Sequence, residues 1–168
     1  MKSMLHGIFL LAAASSMALA QNTGSAATSD QAFVNLVAQT DMTEAHLGQL
    51  AAEQASSQGV KDYAQMLVTD HTADYTQITA LATKAGLTVP KGLDAEHEKA
   101  IAPFEKLKGA AFDRKYIHMM IPGHETAIAA YDKETRDGQN ADLKAYATQA
   151  LPTLEKHKSG AQALLKAK

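Results

Sequence analysis

The chain has 168 residues, 16 of them Lys or Arg and 18 Asp or Glu, and a formal charge of −2 excludes the strongly basic surface of a nucleic-acid binder. Cysteine is absent, which removes disulfides, thiolate metal sites, cysteine nucleophiles and a lipid-modified cysteine in one step. With no Trp, 5% aromatic residues and abundant Ala, the composition fits a helical protein packed closely over small side chains.

Residues 1–20 read as a signal peptide. Lys2 supplies the positive start, Gly7 to Ala14 a short apolar stretch, and Ala18-Leu19-Ala20 the small-residue cleavage site before Gln21. The apolar run falls well below the ~20 residues that span a bilayer. The expected product is exported, periplasmic or outer-membrane associated, with no transmembrane segment in the mature chain. Losing Lys2 leaves 15 basic against 18 acidic side chains, a balance of −3. Residues 21–29 read as a flexible spacer, and 30–168 as a single domain.

Helical periodicity accounts for nearly the whole chain after Asp30. A first helix over 30–57 stacks Phe33, Val37, Thr40, Glu44, Leu47 and Ala51 on one face, and Gly59 is expected to break it. A second, over 60–85, repeats the pattern with Val60, Ala64, Leu67, His71, Asp74, Ile78, Leu81 and Ala85; Gly86 closes it and Pro90 prevents continuation. A long connection then carries a shorter helix over Leu93–Leu107. The third long helix, 110–136, shows Ile117, Met120, His124, Ala127 and Tyr131. The fourth starts from Asn140 as N-cap and carries Leu143, Ala147, Ala150, Leu154, His157, Ala161 and Leu164. Two short turns and one long middle connection predict an all-α, ferritin-like four-helix bundle of two antiparallel hairpins, with a short extra helix in the connection.

The informative residues are those that interrupt the apolar stripes. Each long helix aims one imidazole or carboxylate at the core: Glu44, His71, His124 and His157. Counted from a turn near position 58, Glu44 and His71 lie level; counted from Gly138, His124 and His157 are offset by about 7 Å along the bundle. Pro122 and Pro152 are kink candidates that would absorb that offset, or would simply curve the helices around the core. Neutral imidazoles with one carboxylate suit zinc, copper or iron, and bundle cores are a recurrent place for such sites. The competing reading is a set of structural core histidines in a non-catalytic helical module that contacts the envelope or another protein.

Other candidates are weaker. His46 lies about 200° around the helix from Glu44 and is expected in solvent. His97 sits in the connection without an evident partner, and His118 with Met119 and Met120 reads as a Met-rich face sooner than a copper site. A carboxylate-bridged di-iron oxidase usually needs two Glu-x-x-His motifs; Glu44-Ala45-His46 and Glu155-Lys156-His157 have the wrong spacing. No recognisable catalytic motif supports an enzyme.

Blocks of the sequence resemble an uncharacterised bacterial family of exported ferritin-like proteins, a domain of unknown function whose members are often labelled outer-membrane or membrane proteins. The resemblance rests on Phe33, on Glu44 with Leu47-Gly48-Gln49-Leu50-Ala51, and on Val60 through Asp70-His71. It continues through Leu87–Pro90, Gly109 to Tyr116, His124, Ala147 through Leu151-Pro152-Thr153-Leu154, and His157, covering about residues 31–166. One departure is Gly123, where the family favours Asp; if that Asp orients His124, its role is vacant here. Met119 to His124 is also similar to the Met-Ile-Pro-His-His segment of a second exported helical family linked to copper, with Gly123 in place of one histidine. The resemblance implies the fold and export, and leaves activity open.

Overall fold

The computed structural model describes residues 23–167, in which every element is helical: α1 (Thr23–Gln54), α2 (Gln58–Lys84), α3 (Ala95–Ile101), α4 (Gly109–Asp137) and α5 (Ala141–Lys166). The signal peptide expected over 1–20 lies outside these residues. α1 packs along α2 and α4 along α5; the two hairpins meet through α1 against α4 and α2 against α5, and α3 lies against α1. Small residues set the approach within the first hairpin. A Cβ added at Gly48 would stand 3.0 Å from the Ala64 carbonyl oxygen and would run into Val68.

Three boundaries differ from expectation. α1 begins at Thr23, so residues 23–29 are helical where a spacer was expected; adding turns to an existing helix fixes one residue per hydrogen bond and avoids the cost of nucleation. α1 also stops at Gln54 and not at 57, and Gly59 lies inside α2. The cause is tertiary. The buried Asp113 carboxylate on α4 accepts from Ser56 N (3.1 Å), Ser56 Oγ (2.6 Å) and Ser57 N (3.0 Å), which holds the chain in the break. α3 is shorter than the expected 93–107, because Pro103 has no N–H to continue the helix; residues beyond it close tighter turns, Phe104 N on Ile101 O and Leu107 N on Phe104 O. Elsewhere the local signals hold. Asn140 caps α5 by accepting from Asp142 N and Leu143 N, and Gly86, at φ 71°, ends α2 with Leu87 N on Ala82 O.

The two hairpins correspond at a constant offset of 83 residues. Asp30, Phe33, Val34, Val37, Val60, Tyr63 and Ala64 in the first match Asp113, Tyr116, Ile117, Met120, Leu143, Tyr146 and Ala147 in the second, and all are buried. The tertiary contacts are reciprocal too. As Asp113 holds Ser56 and Ser57, so Asp30 on α1 accepts from Gln139 N and Asn140 N, both 3.0 Å, at the α4–α5 break. Tyr63 meets Tyr116 edge-on at 6.4 Å, and Phe33 meets Tyr146 edge-on at 6.1 Å. Each hairpin thus ends its own turn with a carboxylate borrowed from the other. Replacing Asp113 by Ala takes the acceptor from the Ser56 and Ser57 amides and is expected to cost about 1–3 kcal/mol in urea unfolding. Asp30→Ala, which removes two bonds where Asp113→Ala removes three, should cost less. Equal stability of Asp113→Ala and wild type would refute the clamp.

Two apolar cores result. Leu47, Leu67, Phe104, Phe112, Tyr116 and Ile117 belong to the one near the α1–α2 turn; Phe33, Val34, Ile78, Leu143 and Tyr146 belong to the one near the α4–α5 turn. Between them lies a polar layer.

Candidate metal centre

That layer holds Glu44 from α1, His71 from α2, His124 from α4 and His157 from α5, each no more than 5% exposed. The rings of His71 and His157, and of His124 and His157, have centroids 5.3 Å apart; those of His71 and His124 are 6.0 Å apart. One nitrogen from each of the three rings lies within 4.8 Å of the others. Glu44 Oε2 stands 3.0 Å from His71 Nε2 and 3.6 Å from His124 Nε2. The 7 Å offset expected for His157 is therefore not an obstacle.

The reason is geometric. Measured from the midpoints of the two breaks, positions 56 and 139, Glu44 and His71 lie twelve and fifteen residues away, and His124 and His157 fifteen and eighteen. Each pair is staggered by three residues, about 4.5 Å. Side chains tilt toward the N-terminus of their helix, so His157 leans back toward its turn while His124 leans away from its own. The stagger is thereby closed by side-chain direction. α4 and α5 run through Pro122 and Pro152 without a break.

Each imidazole has one nitrogen committed to an acceptor. His71 Nδ1 donates to Asp41 Oδ1 (2.8 Å), His124 Nδ1 to the Met120 carbonyl (2.8 Å), and His157 Nε2 to Asp70 Oδ2 (2.9 Å). An acceptor on one ring nitrogen places the proton there and leaves the other nitrogen as a lone pair. The remaining nitrogens, His71 Nε2, His124 Nε2 and His157 Nδ1, are all buried without a hydrogen-bond partner, and so is Glu44 Oε2. His71 Nε2 and Glu44 Oε2 are near each other but not in hydrogen-bond alignment. The Met120 carbonyl fills the orienting role left open by Gly123.

Electrostatics separate the three rings. Burial alone would push His71 down, but the Glu44 charge at 3.0 Å and the hydrogen bond to Asp41 carry it well above the usual imidazole range. Burial likewise favours a neutral Glu44, yet the charge and close approach of His71, and then His124, hold it below its ordinary value. Burial pushes Asp41 up to about 7 against the His71 hydrogen bond. For His157 burial dominates over Asp70, and the ring is held below its ordinary value, hence neutral. His71 is therefore the ring that favours a second proton, which it must give up to act as a ligand, while His157 keeps a free lone pair.

The stripe pattern does not single out several participants. Asp41, one turn before Glu44, and Asp70, beside His71, orient two of the histidines. Asp74 interrupts the α2 stripe as plainly as the histidines interrupt theirs, and its Oδ2 accepts from both Tyr131 OH (3.0 Å) and Tyr146 OH (2.7 Å). The 83-residue correspondence is the signal that marks two of them: Asp41 and Asp74 occupy the positions of His124 and His157. His46 is exposed, as expected, and so is His118. His97, expected to lack a partner, bonds through Nδ1 to its own N-cap, Asp94 (2.7 Å).

The chain belongs to the family of the domain of unknown function DUF4142, whose profile matches residues 14–164. No curated protein matches it in sequence. Among solved structures it is similar to CopM in the Ag-bound form obtained by co-crystallization, at 15% identity and a TM-score of 0.66, and in the Ag-bound form obtained by soaking, at 17% and 0.65. It is also similar to CopM in the Cu(II)-bound form, at 13% and 0.65; each likeness covers 82% of this chain and 96% of the other. At these identities the likeness establishes a shared helical fold. No helix among the described residues is long and apolar enough to cross a membrane.

Proposed function

We propose that this DUF4142 protein is an exported, ferritin-like bundle that binds one transition-metal ion between His71, His124 and His157, with Glu44 as the carboxylate ligand, in the service of metal handling and protection from metal stress. The observation that carries the reading is the group of four buried, partnerless atoms gathered in the polar layer: three imidazole nitrogens and one carboxylate oxygen on four different helices. Packing alone leaves such groups costly, by about 1–3 kcal/mol each, whereas a cation satisfies all four at once. Imidazole and carboxylate without thiolate suit zinc, copper or iron; the shared fold with Ag- and Cu(II)-bound CopM adds weight to copper. A cation held there would supply the positive charge that Glu44 otherwise meets on His71, with the His71 proton released to solvent. Asp41, the Met120 carbonyl and Asp70 hold the rings in the receptive tautomers.

Elemental analysis of untagged protein tests this directly, with about one equivalent of metal expected. Acidification toward about pH 5 should release the ion before the helices melt, since a ligating imidazole must be neutral. Replacing His157 by Leu fills similar space between Leu154 and Ala161 and should keep the helical spectrum while weakening metal affinity at least tenfold. Protein that takes up no metal would return the histidines to packing, and the module to a role in contacts with other proteins.

A further inference from the structure

A cleft of about 250 Å³ opens between α2 and α5 and reaches the polar layer. His71 and His157 form part of its wall, Asp70 and Asp74 supply its charge, and Gln149 and Thr153 stand on the α5 side. No lysine or arginine lines it among the described residues. Asp74 is committed to the two tyrosine hydroxyls. Asp70 is different: its side chain is 36% exposed, yet its Oδ2 is bonded to His157, whose side chain is 1% exposed. It therefore touches solvent and the buried triad at once. A water occupies about 30 Å³ of liquid, so the cleft accommodates a cation together with its first shell of water.

Resting on the metal site proposed for the three histidines, we infer that the ion enters and leaves through the α2–α5 cleft, and that Asp70 captures the hydrated divalent cation and passes it to His157 and His71. Two carboxylates, with no lysine or arginine among the described residues of the lining, concentrate positive ions at the mouth of the groove. As the ion sheds water, the carboxylate replaces a water ligand, and the partnerless nitrogens of the two wall histidines, His71 Nε2 and His157 Nδ1, are buried in the layer that the cleft reaches. Asp70 is a positioning residue in the loaded state, through the His157 Nε2–H bond, and a transient ligand during loading. A rival route exists at Gly123, which is exposed and whose added Cβ would lie 3.9 Å from Glu44 Oε1.

The test is stopped-flow uptake of Co²⁺, followed by its visible absorption, together with its extraction by a chelator and an equilibrium Kd. Thr153→Trp, at an exposed position over the cleft, should slow uptake and release together by at least tenfold with Kd nearly unchanged. Gly123→Trp should leave both rates within about twofold. Asp70→Asn, which keeps an acceptor for His157 but removes the charge, should slow uptake by about tenfold at low salt and flatten its salt dependence. Were Asp70 only an orienting residue, the loss would fall on the release rate and on Kd, and the salt dependence would be unmoved; that result overturns its capture role. Slowing by Gly123→Trp but not Thr153→Trp overturns the route. Wild-type protein that takes up no Co²⁺ overturns the metal site itself and this inference with it, whereas normal uptake that is blind to Thr153→Trp and Asp70→Asn overturns the inference alone.

Discussion

With zinc at a thousandfold excess over its Kd, the wild-type protein is expected to gain about 4 kcal/mol of unfolding free energy over metal-free protein, because a ligand that binds only the folded state adds RT ln(1 + [L]/Kd). His124→Leu should show none of this gain. His124 is 1% exposed and its Nε2 has no partner, so a leucine of similar volume removes an unsatisfied polar atom from the core. The metal-free variant should consequently be as stable as wild type, or more so. That combination separates a ligand from a structural histidine: a packing role predicts an equal zinc response in both proteins. Binding at the exposed His46 or His118 would also give equal responses. Thermal melts with and without zinc, each checked against a chelator, decide between them.

In metal-free protein His71→Ala should be the most damaging single change, at about 3–5 kcal/mol. His71 is the cation between Asp41 and Glu44, which are 2% and 5% exposed, and its loss leaves two carboxylates buried without a counter-charge. Coupled replacement makes the assignment testable. Adding Asp41→Asn and Glu44→Gln to His71→Ala should recover part of the loss, because neutral amides tolerate burial better than unpaired carboxylates. The pH dependence has a definite sign. The folded pKa of His71 is raised above its unfolded value, so its contribution is fully present below about pH 6.5 and is lost as pH rises through the elevated folded pKa. The gap between wild type and His71→Ala should therefore narrow as the solution is made alkaline. Urea titrations across that range measure it, and a constant gap would show that His71 does not carry the proton.

The helical class, the four long helices and the identity of the four inward polar groups are all legible in the chain. Their basis is local. A 3.6-residue period determines which residues share a face, so Glu44, His71, His124 and His157 announce themselves by interrupting apolar stripes. Caps such as Asn140 and the glycine stop at Gly86 act within a few residues of themselves and are legible for the same reason. The end of α1 is not, since Ser56 and Ser57 suit a helix or a break about equally and Asp113, 56 residues from Ser57, makes the choice.

The level of the groups along the bundle is likewise a tertiary matter. Residue counting estimates the height of Cα atoms, whereas a site is made by side-chain tips that lean in opposite senses on antiparallel helices. The partners Asp41, Asp70 and the Met120 carbonyl lie beyond the reach of periodicity for a related reason. A stripe shows that a histidine faces inward, but not which nitrogen is left bare. That depends on what the neighbouring helix and the preceding turn place against the other edge of the ring. Periodicity thus determined the inward polar groups, and only the packing of the two hairpins decided that their tips converge.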